Sequence, residues 1–258
     1  MLRFRNLGSG SAGNASVVEA GSGALVRRLL VDCGLGIRAL DTRLAWAGLT
    51  ASQIDAVFIT HEHSDHIGCA RQFAVRHAKP VWMSHGTWVG CGEPDLGGWY
   101  RQAQDMQPMD LGELQITPFT VPHDAREPLQ LRCTDGARNL GILTDLGHAT
   151  PHVLTHLQSC EALLLECNHD VDLLANSSYP PFLKKRVGGR HGHLSNEDAG
   201  QIARALDHPG LVHIVAAHLS RQNNRPDLAR KALADALGGN PADIGVADQA
   251  LGCDWVTL

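Results

Sequence analysis

Apolar residues in this chain fall into short runs broken by polar turns. Runs rich in Val, Ile and Leu predict strands over Leu25–Asp32, Ala56–Thr60, Val81–Ser84, Leu114–Val121, Leu129–Cys133, Asn139–Thr144, Ala162–Cys167, Leu211–Ala217 and Asp254–Leu258. Elsewhere the apolar spacing becomes helical. Helices are predicted over Ile37–Ala47 and over Ile67–His77, the second ended by Pro80. Thr150-Pro151 reads as an N-cap followed by proline at the first helical position, opening a helix to Leu157. Ser195-Asn196-Glu197-Asp198 resembles a capping box, with Asp in the Glu/Gln position, and opens a helix ending near Leu206. Pro226–Leu237 is a last helix, closed by Gly238-Gly239. Strands dominate the first half, with hairpin-like spacing around Leu114–Leu143, and strand and helix alternate in the second. No linker divides the halves and no internal repeat is found. The order predicts one α/β domain with two sheets between helical layers. Two stretches, Gly86–Gly98 and Asn168–Gly192, read as irregular loops, and loops this long are often functional.

Composition narrows the class. A 43% hydrophobic, 19% charged chain of 258 residues has the makeup of a globular protein and excludes a disordered one. The net charge of −5 argues against a basic coat for nucleic acid, while leaving room for a local cationic patch. No apolar run reaches the roughly 18 residues of a membrane span. The segment Met1–Asn6 lacks the apolar stretch of a signal peptide. The seven cysteines form no CxxC pair, which predicts reduced thiols in a cytoplasmic protein. Histidine is the outlier, with 15 residues, and metal ligation is the first explanation for such an excess.

The densest chemical signal is Thr60-His61-Glu62-His63-Ser64-Asp65-His66, between a predicted strand and a predicted helix. Imidazole and carboxylate together suit Zn, Mn or Fe. Alternate residues of an extended chain point to the same side, so His61 and His63 can share one ion. The turn then redirects Asp65 and His66 toward a neighbouring point.

This His-x-His-x-Asp-His run after a strand resembles the metallo-β-lactamase superfamily of binuclear hydrolases, whose fold is an αββα sandwich of two mixed sheets between helical layers. The resemblance implies further ligands on later strand ends, and candidates follow in order: His123 in Val121-Pro122-His123-Asp124, Asp145 in Thr144-Asp145, and His218 in Ala216-Ala217-His218. It implies that His61, His63 and His123 hold one divalent ion, that Asp65, His66 and His218 hold the other, and that Asp145 bridges. Asp32, in Val31-Asp32-Cys33-Gly34, would orient the histidine segment from behind. With two ions, zinc first and manganese or iron next, a bridging water becomes a nucleophile near neutral pH, so Asp65 and Asp145 are catalytic as well as ligating.

Other residues speak to substrate. Gly192-His193-Leu194-Ser195 is similar to a segment of the nucleic-acid branch typified by tRNase Z, which implies that His193 is the acid protonating the departing oxygen. Arg221, Asn223 and Asn224, just after His218, are good phosphate donors. Ser9, Ser11 and Asn14 sit in a small-residue loop, Leu7–Asn14, able to form an anion nest. Lys184-Lys185-Arg186 and Arg190 form a cationic run before His193, placed to track a phosphate backbone. Taken together, the segments Gly8–Asn14, Asp32–Gly34, Thr60–Gly68, Pro122–Ala125, Thr144–Gly147, Glu166–Asp170, Gly192–Asn196 and His218–Asn224 resemble the YycJ/WalJ-like metallo-hydrolases. That resemblance implies 5′-to-3′ exonuclease activity on DNA and a link to DNA repair. Only 72 residues separate Asp145 from His218, too few for a β-CASP insertion, so residues 1–258 are expected to be a single domain of this fold. The competing readings are a small-molecule hydrolase of the glyoxalase II or lactonase type and a non-enzymatic metal-dependent binding module.

Overall fold

In the computed structural model, which describes residues 1–23 and 25–258, two seven-stranded sheets face one another. The chain opens with β1 (Leu2–Gly8), β2 (Ala15–Ser22) and β3 (Leu25–Val31), an antiparallel meander. Helix α1 (Ile37–Trp46) crosses to β4 (Ala56–Phe58), and α2 (Ser64–Ile67) with α3 (Ala70–His77) crosses to β5 (Val81–Met83). After α4 (His85–Gly90) comes β6 (Tyr100–Gln102), and β3 to β6 are parallel.

The second sheet repeats this plan. Strands β7 (Met109–Asp110), β8 (Gln115–Thr120), β9 (Leu129–Thr134) and β10 (Asn139–Leu143) pair antiparallel. Helix α5 (Pro151–Leu157) leads to β11 (Ala162–Glu166), parallel to β10. Then come α6 (Val171–Asn176), α7 (Pro181–Val187), α8 (Asn196–Ala205), β12 (His213–Ala217), α9 (Pro226–Leu237) and β13 (Gly245–Val246), with β12 and β13 extending the parallel part. Finally β14 (Val256–Thr257) returns to the first sheet beside β1.

Three apolar layers hold the sandwich. Phe4, Phe58, Leu131 and Leu164 lie in the layer between the sheets. Leu40, Leu44 and Phe73 pack α1 and α3 on the outside of the first sheet. Val153, Ile202 and Leu233 pack α5, α8 and α9 on the second. The expected αββα sandwich of two mixed sheets is the architecture observed. Among the described residues no helix is long and apolar enough to cross a membrane.

The chain departs from its pattern in several places, among them the unpredicted short strands β6, β7 and β13. Strands β1 and β2 escape the apolar-run criterion because buried Asn6, Ser16 and Glu19 interrupt them. Glu19 is held inside by Arg3 and Arg28, at 2.6 Å each. The helix expected over Ile67–His77 is broken at Gly68, whose φ of +26° lets the backbone press against Cys33 and Gly34. The stretch Asn168–Gly192 is not a plain loop, since it carries α6, capped by the Asp170 side chain, and α7, opened by Pro180-Pro181 with no side-chain cap. Gly86–Gly98 likewise begins inside α4, with Trp88 stacked on Tyr100 at 5.2 Å, so that tryptophan serves packing.

Candidate metal centre

The parallel strands of both sheets end at one edge, where the loops diverge and leave room for a ligand. There β3 runs into Asp32, β4 into Thr60-His61, β10 into Thr144-Asp145 and β12 into His218, while β11 ends on Glu166. The histidine motif takes the shape its position requires. The chain stays extended through His63, the residue before α2, and then turns helical, so His61 and His63 come from extended chain and Asp65 and His66 from the first helical turn.

The structure brings the expected donors into overlapping groups. Nitrogens of His61, His63 and His123 lie within 4.8 Å of one another. So do donor atoms of Asp65, His66 and His218. Asp145 joins His61 and His66 in a third group and Glu166, His193 and His218 in a fourth, and so lies between the first two. No resident ion is needed to see the fit. Asp145 Oδ2 and His218 Nε2 are buried without a hydrogen-bond partner, an arrangement that costs free energy unless something binds there. Borderline nitrogen donors and carboxylates converging on such atoms suit a divalent transition metal.

Supporting contacts fix which ring nitrogen faces the centre. Asp32 accepts from Thr60 N–H at 2.9 Å and lies 2.8 Å from His66 Nδ1, leaving His66 Nε2 toward Asp145, 3.1 Å away. His123 Nδ1–H donates to the Gly192 carbonyl at 2.9 Å. The His218 backbone N–H donates to Ser9 Oγ at 2.7 Å. Such partners set tautomer and orientation before an ion arrives. Asp32 (φ +63°) and His218 (φ +54°) are both left-handed, a conformation non-glycine residues adopt at a cost, so the motif's support and its last donor each carry backbone strain.

The same crowding moves proton affinities. Burial works against a charged His66, but the Asp145 and Asp32 carboxylates outweigh it and hold the ring well above its ordinary value. Burial also opposes charge on His218, yet Asp145, Asp65 and Glu166 push it up to about 10. Asp65 is disfavoured by burial but drawn down to about 2 by His218 and His66. His61 moves the other way, because burial and its neighbour His66 both penalise its charge. Protons stored on these rings are those an incoming cation displaces.

A cleft of about 350 Å³ opens onto this centre, lined by Asp65, Asp145, His193 and His218 and walled by Tyr179 and Arg186. His193 is partly exposed there, and its Nδ1 sits 2.7 Å from Glu166 Oε1. Burial opposes its charge, but Glu166 and Asp145 prevail and raise its proton affinity. Glu166 itself carries no assignment in the sequence reading. Its signal was present: a carboxylate closing the wholly apolar strand Ala162–Leu165 at the sheet edge that bears the other donors. Asp124 is a second such residue, 3.4 Å from His123 Nε2 and bound to Arg186 at 2.6 Å.

The expected phosphate donors are redistributed. Ser9 and Asn14 are buried, the first holding the His218 backbone and the second reaching Asp65 O at 3.2 Å and His66 Nε2 at 3.0 Å. Asn223 and Asn224 are buried too, and Asn224 Nδ2 donates to the Cys167 and Asn196 oxygens. These four lie in two separate loops, after β1 and after β12, and their burial removes them from the cleft surface. Ser11 remains on the cleft. Arg221 lines a separate hollow with Ser220 and Arg230.

Comparison with known proteins agrees with this geometry. The profile of the beta-lactamase superfamily domain matches residues 27–215. The exodeoxyribonuclease YycJ of Bacillus anthracis is 31% identical over 95% of this chain and 93% of its own length. The exodeoxyribonuclease WalJ of Streptococcus pneumoniae (strain D39) is 31% identical over 95% of this chain and 91% of its own. The crystal structure of YhfI from Bacillus subtilis, a metallo-beta-lactamase fold protein, superposes with a TM-score of 0.76 at 20% identity, covering 100% of both chains.

Proposed function

Because the chain belongs to the beta-lactamase superfamily, in company with exodeoxyribonucleases YycJ and WalJ, we propose that it is a metal-dependent exonuclease that degrades DNA from 5′ to 3′. The whole of residues 1–258 acts as one catalytic unit without a β-CASP insertion, in a cytoplasmic setting that keeps the seven unpaired cysteines reduced.

His61, His63 and His123 would hold one divalent ion, and Asp65, His66 and His218 a second, with Asp145 shared. We take zinc as the native ion, given five imidazoles among seven donors. Bound there, the ions supply Lewis acidity toward a phosphoryl oxygen and lower the pKa of water. The protein's own groups supply the rest. Asp32 and the Gly192 carbonyl orient the His66 and His123 rings. Glu166 keeps a proton on His193 at the cleft, where it can pass to the departing sugar oxygen.

That His193–Glu166 pair carries the reading. A sugar alkoxide is a strong base and leaves slowly unless protonated, whereas a thiolate leaves readily without help. A built proton donor beside the metal donors therefore favours a phosphodiester over a thioester. The test is DNA labelled at its 5′ or 3′ end, incubated with protein loaded with zinc or manganese. Release of 5′-terminal nucleotides first is expected. A folded, metal-loaded sample that leaves every strand intact while hydrolysing a thioester or lactone would overturn the proposal.

A further inference from the structure

One wall of the cleft does more than close it. Segment Tyr179–Arg190 contains four cations and no carboxylate in a protein whose net charge is −5. Within it, α7 has no buried residue, unusual for a helix packed on a sandwich. Leu183, Arg186 and Val187 of α7, with Tyr179 just before the helix, line the cleft together with His193 and His218. Phe182, one turn from Arg186 and next to Leu183, is 73% exposed, the most exposed of the large hydrophobic side chains. An aromatic side chain left in water beside a catalytic cleft and flanked by cations has the chemistry of a stacking platform on a polyanion.

Resting on the nuclease reading above, we propose that α7 is the strand-binding wall of this site. Tyr179 and Phe182 stack unpaired bases next to the scissile linkage, while Lys185, Arg186 and Arg190 follow the phosphates. The occupant is a single-stranded nucleic acid end, because a base presents its face only when unpaired. Charge complementarity favours it over an apolar partner, and the continuity of the wall with the donor cluster favours a strand leading to the reaction centre. Arg186 is held beside His123 by Asp124, at 2.6 Å, a partner that a phosphate would have to share or displace. Arg186 and Asp124 both line the cleft, so a phosphate that takes Arg186 lies on the side of the wall facing the donor cluster.

The test uses metal-loaded protein and a fluorescent single strand whose phosphorothioate linkages resist cleavage, alongside the same strand with abasic terminal residues. Alanine in place of Tyr179 or Phe182 is expected to weaken binding of the intact strand by about 5-fold or more each, as loss of a base–aromatic stack does. Both variants should bind the abasic strand as wild type does. Tyr179→Phe should retain the intact-strand affinity. Lys185→Ala should weaken both strands alike and reduce the salt slope by about one. Equal affinity of wild type for intact and abasic strands would overturn the proposal. So would anionic phosphatidylglycerol vesicles that bind wild type but not Phe182→Ala, with strand affinity unchanged. If the strand binds as expected but its phosphodiester form is never cut, the nuclease reading fails and the wall stands.

Discussion

His193 Nδ1 and Glu166 Oε1 lie 2.7 Å apart, with the imidazole on the cleft and the carboxylate wholly buried behind it. Neither the cleft nor the strand end alone would give a histidine that keeps its proton; the pair does. His193→Ala removes the donor and should lower kcat on DNA by about 10²- to 10⁴-fold, with metal content unchanged. An activated aryl phosphodiester, whose leaving group needs no proton, should lose far less. Equal losses on both substrates would show that His193 acts otherwise.

Glu166→Gln should move the pH profile. Glu166 raises the proton affinity of His193, so the protonated form persists to higher pH in the wild type. Removing the carboxylate lets that proton leave sooner, and the alkaline limb of kcat/KM should shift to lower pH. A limb that stays in place or moves up in pH would contradict the pairing.

Asp32→Asn tests the contact behind the motif. The amide can still accept from Thr60 N–H, but it no longer carries the charge that fixes His66 Nδ1. Metal affinity, measured by competition with a chromophoric chelator, should fall about 10- to 100-fold. A variant that binds metal as tightly as wild type would exclude Asp32 from that role.

Gly34→Ala targets the closest backbone approach near the centre. A Cβ at Gly34 would collide with the Asp65 carbonyl and crowd Asn14 N. The chain must shift, at a cost of about 1–3 kcal/mol. Gly36→Ala, where no atom lies within 4 Å of the added carbon, is the control. Chemical denaturation should separate the two, and Gly34→Ala should also lose metal.

Removing the metal with a chelator should abolish hydrolysis reversibly and lower the thermal midpoint, since an ion that binds only the folded protein stabilises it by mass action. Calorimetry with and without restored zinc checks this. An unchanged midpoint would mean that the clustered donors hold no ion.

The donors were legible in the sequence because strand ends leave a signature. Apolar runs stop at Thr60, Val121, Thr144 and Ala217, and a His or Asp follows within two residues of each. Five of the seven strands of the second sheet were legible as apolar or alternating runs, while β7 and β13, two residues each, are too short to show one. What stayed hidden depends on contacts between distant segments. Buried Glu19 reads as a surface charge until Arg3 and Arg28 are seen around it. Asn223 and Asn224 read as phosphate donors because their polarity is visible and their burial is not. Helix α7 was obscured because it is only seven residues long and buries none of them, so its apolar residues form no stripe facing the core, and the same exposure is what fits it to a ligand.

The hydrogen bond from His218 N–H to Ser9 Oγ spans 209 positions of sequence. During synthesis residue 9 leaves the ribosome 209 residues ahead of residue 218. The last donor is therefore locked in place only after β1 to β12 have been made. A nascent chain carrying the first histidines holds only a fragment of the centre. The full donor set therefore cannot assemble until residue 218 has been made.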